Sequence, residues 1–388
     1  MQESTLAKPE TAPALAPGRI ASIDILRGLV MALMALDHTR NFFSDYGFNP
    51  RDVTEPALFL TRWITHFCAP TFILLTGLSA WLYGRGKSTS ELSRFLLTRG
   101  LWLILLEFTL IQFGWSFDPG LPASVGGGII WVIGACMVLM AALVYLPRAG
   151  LVAFALVLIS GHNLLDGVRP EDLGAASGLW HVLHQPGRIA LGGGFTAYVL
   201  YPIVPWIGVM AAGYALGPVM ARPPQERQRI LFGLGVSITI GFFLLRASNL
   251  YGDPAPWTVQ ETALATALSF LNCQKYPPSL LFLMMTLGPA LMLLASFEHV
   301  RGRVADWLRI FGQVPFFFYV THIYLIHALA VVTAFALTGT LVMSRPEIGF
   351  GLAGVYGVWV VVLLLLYPLC RWFASLREGR SFWWWRYL

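Results

Sequence analysis

Stretches of about 20 mostly apolar residues, the length that crosses a bilayer as a helix, recur along nearly the whole chain. They fall at approximately 20 to 43, 63 to 84, 98 to 117, 127 to 146, 149 to 166, 198 to 220, 229 to 247, 279 to 297, 313 to 336 and 350 to 373. Because only helices and closed barrels satisfy their backbone groups in hydrocarbon, runs of this length predict an all-α polytopic bundle of about ten spans. One transmembrane domain is expected over residues 19–374. Residues 1–18, rich in Pro and Ala, read as a disordered tail. Residues 375–388 read as a cytoplasmic interfacial tail anchored by the aromatics of SFWWWRYL.

Composition agrees with a membrane-embedded chain. It is 56% hydrophobic and only 12% charged, with a mean hydropathy of +0.66, well outside the balance of soluble globular proteins. A net charge of +6 would point weakly to nucleic acid in a soluble protein, but membrane topology accounts for it here. With both termini cytoplasmic, seventeen of the 26 lysines and arginines lie in inner segments and eight in outer ones, and Arg27 lies within the first span. No nucleic-acid partner is expected. The expected setting is multi-pass in a cell membrane, the inner one in a bacterium, with lipid as the constant partner. Cys68, Cys136, Cys273 and Cys370 form no C-x-x-C pair and suggest neither zinc nor a disulfide framework, so no metal is expected. A cleaved signal peptide tolerates charges such as Asp24 and Arg27 poorly, so the first span is expected to be retained.

Three outer segments exceed what a turn requires: 44–62, 167–197 with Gly192-Gly193-Gly194, and 248–278. They could line or cover an outer vestibule. The Gly126-Gly127-Gly128 entry to the fourth span could be re-entrant. The prolines in Tyr201–Trp206 and Lys275–Ser279 fit stiffened helix starts, although Lys275 could also meet an anion at the vestibule.

The first span carries Asp24, Arg27, Asp37 and His38. A charge at the centre of a membrane helix costs roughly 3 kcal/mol, so such groups face a partner or a cavity. Arg27 and His38 are eleven positions apart, which returns to the same helical face about 16 Å further along the axis. The plain alternative is that Arg27 pairs with Asp24 and His38 merely caps an interfacial helix end. Asp37 points away from His38 but can reach Arg40, so a carboxylate orienting His38 would come from another helix. His66, His162, His181, His184 and His327 lie toward the outer side and His322 mid-membrane; imidazoles grouped at one depth suit proton transfer or nucleophilic work. His322 and His327 point about 140° apart and cannot face one pocket squarely. Glu107, inside the third span, needs protonation or an arginine partner. The inner basic residues Arg85, Lys87, Arg94, Arg99, Arg301, Arg303 and Arg309 serve either topology alone or the phosphates of a cytosolic ligand.

Ser22-Ile23-Asp24-Ile25-Leu26-Arg27-Gly28 with Leu36-Asp37-His38-Thr39-Arg40 resembles the N-terminal signature of the heparan-alpha-glucosaminide N-acetyltransferase family. Tyr276-Pro277-Pro278-Ser279-Leu280 and Phe318-Tyr319-Val320-Thr321-His322 agree with its bacterial members. The Arg-x10-His spacing from Arg27 to His38 also resembles the wider group of membrane acyltransferases that modify surface sugars. The resemblance implies acetyl transfer from cytosolic acetyl-CoA to a sugar or glycan acceptor across the membrane, through an embedded histidine. Lysosomal members place that histidine between the first two helices and have asparagine at the position of His38; here residues 39–65 contain no histidine. The role therefore falls to His38, as general base or transient acetyl carrier, or to His66. His322 matches the family's Tyr-Val-x-His and, with His66, would serve as proton relay or acceptor clamp. Arg27, held by Asp24, and Arg99 would bind the donor. A proton-coupled transporter using Asp24, Arg27 and Glu107, or a non-catalytic scaffold, are the alternatives, and a homodimer is left open.

Overall fold

The computed structural model describes residues 19–44, 49, 51–118, 124–344, 346 and 348–377. The N-terminal tail and residues 378–388, with the aromatic anchor, lie outside the described residues. The helices are α1 (Ala21–Phe43), α2 (Pro56–Thr65), α3 (Cys68–Gly84), α4 (Thr89–Leu106), α5 (Gln112–Ser116), α6 (Ile129–Leu143), α7 (Arg148–Gly161) and α8 (Ser177–Leu183). They continue with α9 (Ile203–Met220), α10 (Pro224–Ser248), α11 (Ala263–Leu271), α12 (Leu280–Ser296), α13 (Arg303–Gln313), α14 (Pro315–Thr338) and α15 (Leu352–Arg377). The protein is an all-α polytopic membrane bundle. Each predicted apolar stretch is helical over most of its length. Among the described residues seven helical segments are long and apolar enough to cross a membrane unaided, whereas α6 and α12 are shorter and α1 is interrupted by its charges.

Burial separates the helices into an inner and an outer set. α7 and α10 bury few of their apolar side chains and leave others open, Val157 at 67% and Leu244 at 70%, as expected for faces that meet lipid. α1 is the opposite: it is enclosed by α2, α3, α12, α13, α14 and α15. Small residues permit the closest of these approaches. A Cβ at Gly28 would lie 1.8 Å from the Leu308 carbonyl oxygen of α13, and one at Gly312 would lie 1.9 Å from the Asp24 carbonyl oxygen. α13 can therefore lie backbone to backbone against the charged end of α1, as membrane helices with small interfacial residues do.

The outer segments hold more structure than the apolar pattern suggests. β1 (Ser124–Gly127) pairs in parallel with β3 (Phe195–Val199), whose other edge pairs antiparallel with β2 (Gly187–Gly192). Gly193 and Gly194 make the hairpin turn with φ of 60° and 81°, which glycine adopts without strain. The Gly126-Gly127-Gly128 segment is thus the end of a strand and the N-cap of α6 rather than a re-entrant helix. Its three glycines favour a close backbone approach over helix, and a Cβ at Gly128 would sit 2.7 Å from Glu107 Oε1. In the third long segment, Arg246 is 1% exposed and donates to the carbonyls of Ala255, Ser269, Phe270 and Asn272. That arginine, in the last turn of α10, folds the 248–278 segment around itself.

Candidate active site

α1 and α14 bring two histidines together. His38 Nδ1 and His322 Nε2 are 2.7 Å apart and their rings lie within 15° of parallel. The other nitrogen of His322, Nδ1, is 3.0 Å from the carbonyl oxygen of Phe318 one turn earlier. A carbonyl only accepts, so His322 Nδ1 carries a proton and its Nε2 in the neutral ring is bare. His38 then donates Nδ1–H to His322, which leaves the lone pair of His38 Nε2 available. No hydrogen bond among the described residues engages that nitrogen. The edge of Trp115, from α5, packs against the His38 ring at 4.8 Å. The expectation of a carboxylate orienting His38 is therefore corrected: His322 does it, while Asp37 accepts from Arg40 at 3.0 Å and from the Thr65 hydroxyl at 3.2 Å.

His327 stands apart from the pair, as the angle between it and His322 requires. Its ring nitrogens meet the carbonyls of Gly114 and Met343, each at 2.8 Å, and its ring stacks on Phe117. His66 occupies the break between α2 and α3, 5% exposed, with neither ring nitrogen bonded among the described residues. It lines a polar cavity of about 550 Å³ with Arg51, Arg62, Gln274, Lys275 and Tyr276. This cavity adjoins the Asp37–Thr65 contact, one residue along α1 from His38. Burial pushes the thiol of Cys273 on its wall up to about 12, so no thiolate nucleophile is supplied there.

At the other end of α1 a second cavity of about 630 Å³ opens among Arg19, Asp24, Arg27, Arg99, Gln313 and Arg377. The three residues predicted to bind the donor, Asp24, Arg27 and Arg99, all lie on its wall. Asp24, 2% exposed, is shared by Arg19 at 2.5 Å and Arg27 at 3.2 Å. Arg27 also donates to Ser79 Oγ and to the Gly312 carbonyl, so the close approach of α13 fixes its head group. Arg377 donates to the Gln313 carbonyl. The cavity runs up past Met31 and Met34 to Tyr319, whose ring meets that of His322 at 5.5 Å. One wall thus runs from four arginines to Tyr319, the neighbour of His322. Arg19 and Arg377 were not singled out from the sequence, because cations at span ends look like topology signals.

Over residues 19–250 the sequence matches the family described as heparan-alpha-glucosaminide N-acetyltransferase, catalytic. The chain belongs to that family. No curated protein matches it. It is therefore a membrane acetyltransferase, and the carrier and scaffold readings are set aside. The matched residues include Arg27, His38, His66 and Arg99; beyond them, His322 pairs with His38 and Arg377 lines the arginine-rich cavity.

Glu107, the third member of the discarded proton relay, has a different use from the arginine pairing expected for it. α4 passes into a π-helical turn, Glu107–Ile111, before α5. The Glu107 carboxylate there accepts from the backbone N–H groups of Gly128 at 3.0 Å and Trp131 at 3.1 Å, capping α6. Glu107→Leu should leave both N–H groups buried and unbonded, costing about 3 kcal/mol. A lower melting temperature in detergent checks this, and unchanged melting would show that the cap contributes nothing.

Proposed function

We propose that this acetyltransferase moves the acetyl group of cytosolic acetyl-CoA to a sugar or glycan acceptor on the outer side of the membrane, with His38 at the point of transfer. The observation that carries the reading is the cavity that runs from the arginines to Tyr319, whose ring touches His322 of the His38–His322 pair. A nucleotide with phosphates suits guanidinium groups, which offer forked donors to phosphate oxygens. The thioester arm would extend past Met31 and Met34 toward Tyr319, where the walls are apolar. The polar cavity with His66 and Lys275 would receive the acceptor.

The acceptor's amine or hydroxyl attacks the thioester carbonyl carbon while His38 Nε2 removes its proton. Collapse of the tetrahedral adduct breaks the carbon–sulfur bond, and the proton returns to the departing sulfur, giving acetylated acceptor and free coenzyme A. The same lone pair would permit an acetyl-imidazole intermediate, with the acceptor attacking second. In either sequence His322 steadies the His38 tautomer and shares the positive charge that develops.

Sealed vesicles of both orientations, offered acetyl-CoA outside and a panel of amino sugars and glycans inside, test the arrangement. Free thiol should appear only when donor and acceptor are on opposite sides, with the donor at the arginine-rich end. Equal release with both on one side would overturn transfer across the membrane.

A further inference from the structure

We propose that His162, Asp166 and His184 form a binding site for a zinc-like divalent metal ion, separate from the acetyl-transfer machinery. His162 opens the short 3-10 turn His162–Leu165 that follows α7, and Asp166 caps its end. His184 follows α8 and returns to meet them. The candidate ligand atoms of the three residues all lie within 4.8 Å of one another. His184 Nε2 and Asp166 Oδ1 are 3.7 Å apart, close to the about 3.4 Å that separates neighbouring ligands around a tetrahedral zinc. Small side-chain rotations bring in the third group.

His162 supplies an independent reason. It is 2% exposed and neither of its ring nitrogens has a hydrogen-bond partner among the described residues. Buried imidazoles are ordinarily bonded, and an orphaned one costs stability unless something else uses its lone pair. A metal ion would. His184 Nε2 sits 2.9 Å from the carbonyl oxygen of His162 and donates its proton there in the metal-free protein. The metal would replace that proton and leave the carbonyl oxygen or water for a fourth position.

The surroundings resemble the outer shell of a structural site. Asn163 Nδ2 donates to Asp166 Oδ2 at 2.8 Å, orienting the carboxylate, and Trp180 stacks on His184 at 4.9 Å. The Asn163 side-chain oxygen accepts from the backbone N–H of Leu280 at 2.9 Å. The site therefore ties the end of α7 and the end of α8 to the first residue of α12, after the Lys275–Tyr276 segment that borders the polar cavity. Two imidazoles and one carboxylate favour zinc over calcium or magnesium, which prefer oxygen.

The test is elemental analysis of tag-free protein purified in detergent, followed by chelator treatment and titration with zinc or cobalt. About one zinc per chain is expected, with proton release on binding and a melting temperature that rises by about 5 °C or more on zinc addition. His162→Ala and His184→Ala should abolish zinc uptake and the thermal gain; Asp166→Asn should weaken uptake by about tenfold or more. If a histidine variant fails to fold, the cobalt absorption spectrum of the wild type decides, since two imidazoles and a carboxylate give tetrahedral visible bands. Wild type that takes up no zinc and melts at the same temperature with it would overturn the proposal, as would uptake undiminished in His162→Ala.

Discussion

His38→Ala should lower kcat for acetyl transfer by about three orders of magnitude, the upper range for losing a positioned base, with little change in the binding of coenzyme A. The expectation rests on one lone pair: of the four ring nitrogens in the pair, only His38 Nε2 is both bare and unpartnered among the described residues. His322→Ala should cost less, about 100-fold, because His38 remains but loses the group that fixes its tautomer. His322→Gln should recover part of that loss, since its amide oxygen can accept from His38 Nδ1–H. The double alanine variant should be scarcely slower than His38→Ala, because the two residues act as one unit. His66→Ala should chiefly raise KM for the acceptor. Steady-state kinetics with acetyl-CoA and the best acceptor separate these outcomes. Full turnover in His38→Ala would remove His38 from the chemistry, and a collapse of kcat in His66→Ala would move the chemistry to the polar cavity.

What the sequence made legible divides along physical lines. Hydrocarbon forces long, uniform apolar runs, so every helix that meets lipid announced itself. The Asp24–Arg27 and Asp37–Arg40 pairs were also readable, because they are local and obey helical spacing. Contacts between distant segments were not. Nothing in the linear pattern joins His38 to a residue 284 positions away, and helical angles alone could only say that His322 and His327 do not share one pocket. Glu107 misled for a related reason. Its composition suggests an ion pair, but the nearest unsatisfied donors are backbone N–H groups at the start of α6, which no side-chain motif encodes. The three strands were hidden because they are short, two of them carry glycine, and all lie in segments bounded by stronger apolar signals.

The cavity proposed for the donor carries the second large effect, and it separates two residues that a simple charge count would pair. Asp24 is nearly inaccessible and serves two guanidinium groups, so Asp24→Ala strands Arg19 and Arg27 with their mutual repulsion; breaking a buried pair in this way costs about 3 to 5 kcal/mol. The expected result is a sharp loss of melting temperature and of folded yield. Arg27→Met removes a cation but leaves Asp24 paired with Arg19, so the fold should largely survive. What it removes is a charge-assisted hydrogen bond to a phosphate, about 2 kcal/mol, which raises KM for acetyl-CoA about 30-fold. Arg27→Lys should recover only part of this, since an ammonium cannot hold Ser79 Oγ and the Gly312 carbonyl in the same fork while meeting a phosphate. Protection of the wild type against heat by coenzyme A should shrink in parallel in Arg27→Met. If that variant melted early but kept its KM and its protection by coenzyme A, the arginine cluster would be holding α1 against α13 and nothing more, and the donor would have to enter elsewhere.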